Sequence, residues 1–314
     1  MIDPAQTIPG DGKGEGEDRV NREVALALGG GGARGLAHIG VLAELERAGY
    51  SVGALAGTSI GGVIGSLYAA GRSPAEIASW AKSAWGSGLF RLHPSSGGLL
   101  GIDRIRDLLE NSLADKTFKD VRCRLALTAV DLGSGSEVVM TEGRLVDAVL
   151  ATIALPGIFP PRVNGDTRLI DGGVIDPVLV GPVRSLHGGP VVAVVLSSKP
   201  GAPPGPSALE IMPAFGVISR LRVGQALQVF GRSFEIASRL FTELRLQMDD
   251  PEVVVRPEVS GIGILDSPEP GPVIEAGRAA MARSLADLER CFGLRGTIRR
   301  LRRGRAAMPR FEPG

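Results

Sequence analysis

Gly57-Thr58-Ser59-Ile60-Gly61-Gly62 stands between an apolar run at 52–56 and a helix-forming run at 60–70. A strand, a sharp turn and a helix are expected there, with a serine at the turn. The form G-x-S-x-G in that setting is a nucleophile elbow. Its physics is steric. A serine held between strand and helix adopts an unfavourable backbone conformation, and bulky side chains two residues to either side would collide. Gly57 and Gly61 remove those side chains. The hydroxyl is left exposed at a helix N-terminus, where the helix dipole favours developing negative charge. Taken alone, the hexapeptide also fits a glycine-rich turn with a surface serine.

One strand earlier, Glu23-Val24-Ala25-Leu26-Ala27-Leu28 fits a buried parallel strand, and Gly29-Gly30-Gly31-Gly32-Ala33-Arg34-Gly35 follows at once. A helix is expected over 36–48, with Leu36, Ile39, Leu42 and Leu45 on one face and Gly49 as its C-cap. This is βαβα with short turns, the start of a parallel sheet covered by helices. Gly30-x-Gly32-x-x-Gly35 has the form of a dinucleotide fingerprint. That fingerprint needs an acid at the end of the second strand, and here Ala56-Gly57-Thr58-Ser59 stands in that place. The loop suits a different anion. Tetrahedral oxyanions of acyl transfer need two or three N–H donors, and Gly31 and Gly32 offer theirs with no side chain in the way. Arg34 suits either steering an anionic head group or pairing with an acid.

Further along, Ser73-Pro74-Ala75-Glu76 is a capping box opening a helix to about residue 84. Residues 85–100 are irregular and of lid length. Asp103 caps a helix to about 113, and strands at 123–130 and 137–141 suggest a hairpin. A helix over 145–153 is broken by Ala154-Leu155-Pro156-Gly157-Ile158-Phe159-Pro160-Pro161. A short strand at 168–170 then ends in Asp171-Gly172-Gly173. A buried strand at 191–196, a proline-rich loop at 197–207, a long helical stretch at 208–248, a late strand at 253–255 and a helix at 274–290 complete the chain. The segments at 85–100 and 208–248 are expected to gate an apolar site.

A serine nucleophile needs a proton acceptor. Asp171 ends a strand and is followed by two glycines that permit close approach. A desolvated carboxylate in hydrogen-bond reach can take the proton directly. The three histidines are His38, His93 and His187. The order Ser59, Asp171, His187 is that of an α/β-hydrolase triad, so a Ser-His-Asp esterase is the second reading. Against it, only one strand–helix unit precedes the elbow strand.

The glycine loop, the elbow and Asp171-Gly172-Gly173, together with the proline-rich stretch at 154–161, resemble the bacterial patatin-like phospholipase family over about residues 24–196. The resemblance implies a three-layer α/β/α fold with a mainly parallel sheet, followed here by a helical C-terminal extension. It also implies a Ser–Asp dyad lipid acyl hydrolase of phospholipase A or lysophospholipase type. By matching positions, Ser59 is the nucleophile and Asp171 the base. Gly30, Gly31, Gly32 and Arg34 form the oxyanion loop, and Gly57 and Gly61 shape the elbow. A phospholipid or other fatty acyl ester is the expected substrate, with a peripheral membrane surface as partner. A non-catalytic lipid-binding module is the alternative from another class.

The 314 residues suffice for a large core, and 44% hydrophobic with 22% charged residues is a globular balance. A net charge of +1 gives no reason to expect nucleic acid as a partner. Cys123 and Cys291 give no disulfide framework and read as small core residues. No metal or other cofactor is expected. With no apolar segment of signal-peptide or membrane-spanning type, a cytoplasmic protein is expected, peripheral to membrane at most. The organisation reads as a disordered leader at 1–22, a catalytic domain at 23–200, a helical completion or cap at 201–294 and a basic tail at 295–314. That tail is arginine-rich without an acid, which fits a solvated end or attraction to anionic lipid.

Overall fold

A computed structural model of the chain describes residues 22–86, 102–198, 222–293 and 296. Most of the expected leader, the lid segment from 87 on, the proline-rich loop from 199, residues 208–221 and the tail apart from 296 lie outside the described residues, as does His93.

The first βαβα unit is β1 (Glu23–Leu28), a 3-10 turn (Gly32–Leu36), α1 (Ala37–Arg47), β2 (Ser51–Gly57) and α2 (Ile60–Ala69). Helices α3 (Pro74–Gly86) and α4 (Ile102–Leu113) follow. The capping box of α3 is formed: Ser73 N–H donates to Glu76 Oε2 at 2.8 Å and Glu76 N–H to Ser73 Oγ at 3.3 Å. Next come β3 (Arg124–Asp131), β4 (Glu137–Met140), α5 (Leu145–Thr152), β5 (Arg162–Asn164), β6 (Thr167–Asp171), α6 (Val180–Leu186) and β7 (Val191–Val194). The C-terminal part gives α7 (Arg222–Asp249), β8 (Val253–Val255) and α8 (Pro270–Phe292).

The eight strands make one sheet in the order β5-β6-β3-β2-β1-β7-β8, with β4 also paired to β3. The pairs among β3, β2, β1, β7 and β8 are parallel, and those of β4, β5 and β6 antiparallel. The period of two along each strand sorts its residues onto the two faces. Leu26, Leu28, Leu55, Leu127, Val192 and Val194 join a large core under α1–α5 and α8. Their neighbours Ala25, Ala27, Ala54, Ala56, Ala126 and Ala193 face the other way, against Val180 and Val183 of α6, with Leu246 of α7 packed on. Both faces are covered, which is why the strands read as unbroken apolar runs. The result is three layers, α/β/α, with a mainly parallel sheet.

Two details depart from expectation and one meets it. The strand β5 is too short to show a period, and its Val163 is exposed. The late strand expected at 253–255 forms as β8 and extends the sheet beside β7 in parallel. Cys123 is buried, but Cys291 on α8 is only half-buried.

Helix α8 packs along α1 through two glycines. A Cβ on Gly40 would lie 1.9 Å from the Ile274 carbonyl oxygen, and one on Gly277 would lie 1.9 Å from that of Ala37. The backbones therefore touch, and α8 braces the helix that follows the glycine loop.

Candidate active site

β1 lies between β2 and β7, so the chain leaves β1 in one direction and returns on its other side. Parallel sheets open a crevice at the C-terminal strand ends of such a point. The glycine loop follows β1 and the elbow follows β2 in that crevice, because Leu28 pairs with Gly57 in register. A Cβ on Gly30 would sit 3.5 Å from the Ser59 Cβ.

The elbow has the strain its sequence implies. Ser59 has φ 54° and ψ −123°, a region that side chains rarely occupy. A Cβ at Gly57 would lie 2.6 Å from Gly61 backbone atoms, and one at Gly61 only 2.1 Å from the Leu28 carbonyl oxygen. The turn is held from outside. Ser59 N–H donates to Thr152 Oγ1 at 3.0 Å, and Thr58 Oγ1 donates to the Asp176 carbonyl at 3.0 Å.

Asp171 ends β6, opposite Ala129 of β3, and is 2% exposed. Its Oδ1 accepts from Gly173 N–H at 2.8 Å, and it lines the same cavity as Ser59. Burial raises its pKa from 3.8 to about 6, against the pull of the Ser59 side chain and the Gly173 hydrogen bond. The carboxyl thus titrates where a base for neutral pH is useful.

In the glycine loop, two of the four residues expected to receive an oxyanion have their N–H groups engaged. Gly30 N–H donates to Pro177 O at 3.0 Å, and Arg34 N–H to Gly31 O at 3.3 Å. Gly31 and Gly32 N–H groups donate to no acceptor among the described residues, and both residues line the cavity beside Ser59. Gly32 has φ +57°, and a Cβ there would meet the Ile264 carbonyl oxygen at 2.0 Å. The Arg34 side chain does not point a free charge at a ligand. It is buried, its Nε donates to Ile262 O, and its Nη2 pairs with Glu235 on α7 at 2.8 Å. Of the two roles open to Arg34 on sequence, pairing with an acid is the one formed.

The histidines fall elsewhere. His187 follows α6, and its Nε2 lies 3.2 Å from Glu23 Oε2, at the N-terminal end of β1. Ser59 follows the C-terminal end of the neighbouring strand, so the Ser59–Asp171–His187 triad is not assembled. His38 is fully buried, with Nε2 2.8 Å from Gly29 O. Burial lowers its pKa to about 4, so it is a neutral peg under the loop.

Two cavities meet at Ser59. One holds Asp171, Gly31 and Gly32, with Ser197, Arg232 and Arg239 among its further walls. The other runs under α2, α3 and α4 between Val63, Trp80, Trp85, Ile105, Leu109 and Phe159. Ser59, Gly32, Leu155 and Ile264 border both. Thr152, Glu235 and Ile264 carry no motif. Their roles come from chain segments that fold back onto the loop, and the sequence has no local signal for them. Among the described residues no group of His, Cys, Asp or Glu is placed to hold a metal ion.

Residues 26–184 match the family model of patatin-like phospholipases. The chain is 37% identical over 183 residues to an uncharacterized NTE family protein of Mycobacterium tuberculosis, covering 57% of this chain and 51% of that protein. A second such protein from the same organism is 28% identical over 285 residues, covering 88% of this chain and 48% of that one. Lysophospholipase NTE1 of Pyricularia oryzae is 30% identical over 184 residues, 56% of this chain and 12% of that protein. The chain therefore spans about half the length of the mycobacterial relatives it matches, and far less of the fungal one. Among solved structures, VipD from Legionella pneumophila is similar over 86% of this chain and 67% of its own, at 14% identity and a TM-score of 0.47. The elbow, the glycine loop and the buried aspartate all lie within the matched residues 26–184, and this chain belongs to the patatin-like phospholipase family.

Proposed function

We propose that the chain is a serine lipid acyl hydrolase, phospholipase A- or lysophospholipase-like, working through a Ser59–Asp171 dyad. The observation that carries this reading is the junction at Ser59. A strained serine and a buried carboxylate line one cavity, and the serine stands where that cavity meets a second one walled by apolar side chains. The second cavity suits a fatty acyl chain, and the first, with Ser197, Arg232 and Arg239 in its wall, suits the alcohol part of the ester.

Asp171 takes the Ser59 proton as Oγ attacks the ester carbonyl carbon. The tetrahedral oxyanion accepts hydrogen bonds from Gly31 and Gly32 N–H. One such donor contributes roughly 3 kcal/mol in a hydrolase. Collapse breaks the ester C–O bond, and the leaving alcohol takes the proton back from Asp171. Water then loses a proton to Asp171 and attacks the acyl-serine. The fatty acid departs and Ser59 is reprotonated. The name lysophospholipase carried by a fungal relative supports a lipid ester as substrate.

Ser59→Ala is the direct test. Hydrolysis of a fatty acyl ester is expected to fall by at least about 10³-fold, with labelling of Ser59 by a fluorophosphonate lost. Wild-type activity in Ser59→Ala would overturn the reading. Absence of both labelling and turnover in the folded wild type would favour a lipid-binding module instead.

A further inference from the structure

Helix α7 is amphipathic in the reverse sense. Its described charged side chains are buried or half-buried, several of them in ion pairs. Glu235 meets Arg34 at 2.8 Å, Glu243 meets Arg256 at 2.8 Å, and Arg245 lies 3.5 Å from both Glu137 and Asp176. Asp249 is buried. The outward side carries Val229, Ile236, Leu240, Phe241, Leu244 and Met248, each between 41% and 70% exposed. Ser233 and Gln247 are the other exposed residues described on this helix, so that face holds no charge. Residues 229, 236, 240, 244 and 248 recur at seven and four positions, which places them in one stripe. The other large hydrophobics comparably exposed among the described residues are Leu132, Val139, Val163 and Val254, on a hairpin and on the two edge strands. A continuous stripe of this kind marks a docking face rather than ordinary surface scatter.

We propose that this face of α7 docks on a lipid surface and sets the Ser59 cavity against it. The stripe runs into the mouth of the site, because Ile236 is both exposed and part of the wall of the cavity that holds Ser59. A folded protein seated there would cover that mouth. A lipid surface covers the stripe and supplies the ester at the same place. The border agrees: Arg232, 3.5 Å from Glu235, and Arg239 of the same helix line the cavity, and among the described residues of the outer face of α7 there is no acid to repel anionic head groups. The docking inference rests on the reading that the substrate is a lipid ester.

The test uses the full chain carrying Ser59→Ala, so that vesicles are not consumed. It is floated with vesicles of phosphatidylcholine containing phosphatidylglycerol. The protein is expected to float with them, and Leu240→Gln, Leu244→Gln and Met248→Gln together to reduce the bound fraction at least about tenfold. In the Ser59 chain the same three substitutions should leave hydrolysis of a soluble short-chain ester and the thermal midpoint unchanged. Equal flotation of both forms overturns docking by α7. So does a lowered midpoint with unchanged flotation, which would mean that the face packs on the chain itself. A dimer that the substitutions split, with neither form floating, overturns it in favour of a second copy as occupant. As an independent measurement, Leu240→Trp should give fluorescence that brominated acyl chains quench, and no quenching counts against insertion. Failure to hydrolyse the soluble ester would count against the dyad alone and leave the flotation result standing.

Discussion

Asp171 carries two opposed demands. As the proposed base it must be ionised, and its burial disfavours the ion. With a pKa of about 6, kcat/KM on a soluble ester is expected to level off above about pH 7 and to fall about tenfold per unit well below 6. The same burial sets a stability effect of known sign. The folded pKa lies above the ordinary 3.8, so the folded state binds more protons between about pH 4 and 6. The contribution is intact below the unfolded pKa and is lost as pH rises through the folded one. Asp171→Asn removes the ionisation, so it is expected to stabilise the fold at pH 7.5 by up to roughly 3 kcal/mol, a gain that fades by about pH 4, while turnover collapses. Urea unfolding at the two pH values, beside a pH–rate profile, checks both halves. An Asp171→Asn chain that is no more stable at pH 7.5 than at pH 4, relative to wild type, would count against the burial account.

At the scale of elements, the site depends on how closely α8 lies on α1. Alanine is a better helix former than glycine by about 1 kcal/mol, so propensity alone favours Gly277→Ala. The added Cβ would meet the Ala37 carbonyl at 1.9 Å, and backbone cannot rotate out of the way as a side chain does. The helices must part, and overpacking of this kind costs about 1–3 kcal/mol or more. Sterics win, and a net loss near 2 kcal/mol is expected from denaturant titration. Gly271, in the first turn of the same helix, has only Glu269 Oε1 nearby, at 3.7 Å. Gly271→Ala is expected to stay within about 0.5 kcal/mol of wild type. Equal effects at the two positions would remove the close-packing argument.

At the scale of the whole molecule, the N-terminal loop is secured by the C-terminal third of the chain. Arg34 reaches Glu235 of α7 and Ile262 O, and Ala33 N–H donates to Ile264 O at 2.8 Å. The Arg34 side chain is 5% exposed and that of Glu235 17%. Glu235→Ala would leave a guanidinium buried with part of its partnership gone. Removing one member of such a pair costs about 3–5 kcal/mol, and the remaining carbonyl bond places the expected loss near 3. Because the loop carries the proposed oxyanion donors, kcat should fall more than KM rises. Glu235→Gln, which keeps an acceptor, should recover part of both losses. Stopped-flow kinetics and thermal melting read the two effects separately. A Glu235→Ala chain with wild-type kcat would show that the clamp serves stability alone.

Local sequence determined the elements that carry the chemistry. The alternation Val24-Ala25-Leu26-Ala27-Leu28, the glycines around Ser59 and the Ser73–Glu76 box each specify backbone through nearest neighbours, and the structure forms all three. The order of glycine loop, elbow and Asp171-Gly172-Gly173 was enough to indicate the family and the sheet class. Tertiary structure alone decided between partners. Arg34 could have faced a ligand or an acid, and it met Glu235 some two hundred positions away. His187 fits a triad in sequence order, but strand direction puts it at the opposite end of the sheet from Ser59. Gly30 and Gly31 look alike as residues, but only Gly30 has Pro177 O within reach of its N–H. In sequence the stretch at 208–248 reads as a helical segment gating an apolar site, with nothing to say which side of it turns outward. Val229, Ile236, Leu240, Leu244 and Met248 of α7 face outward because a helix shows its periodicity in one dimension, whereas the side turned to the protein is set by the ion pairs that distant segments offer.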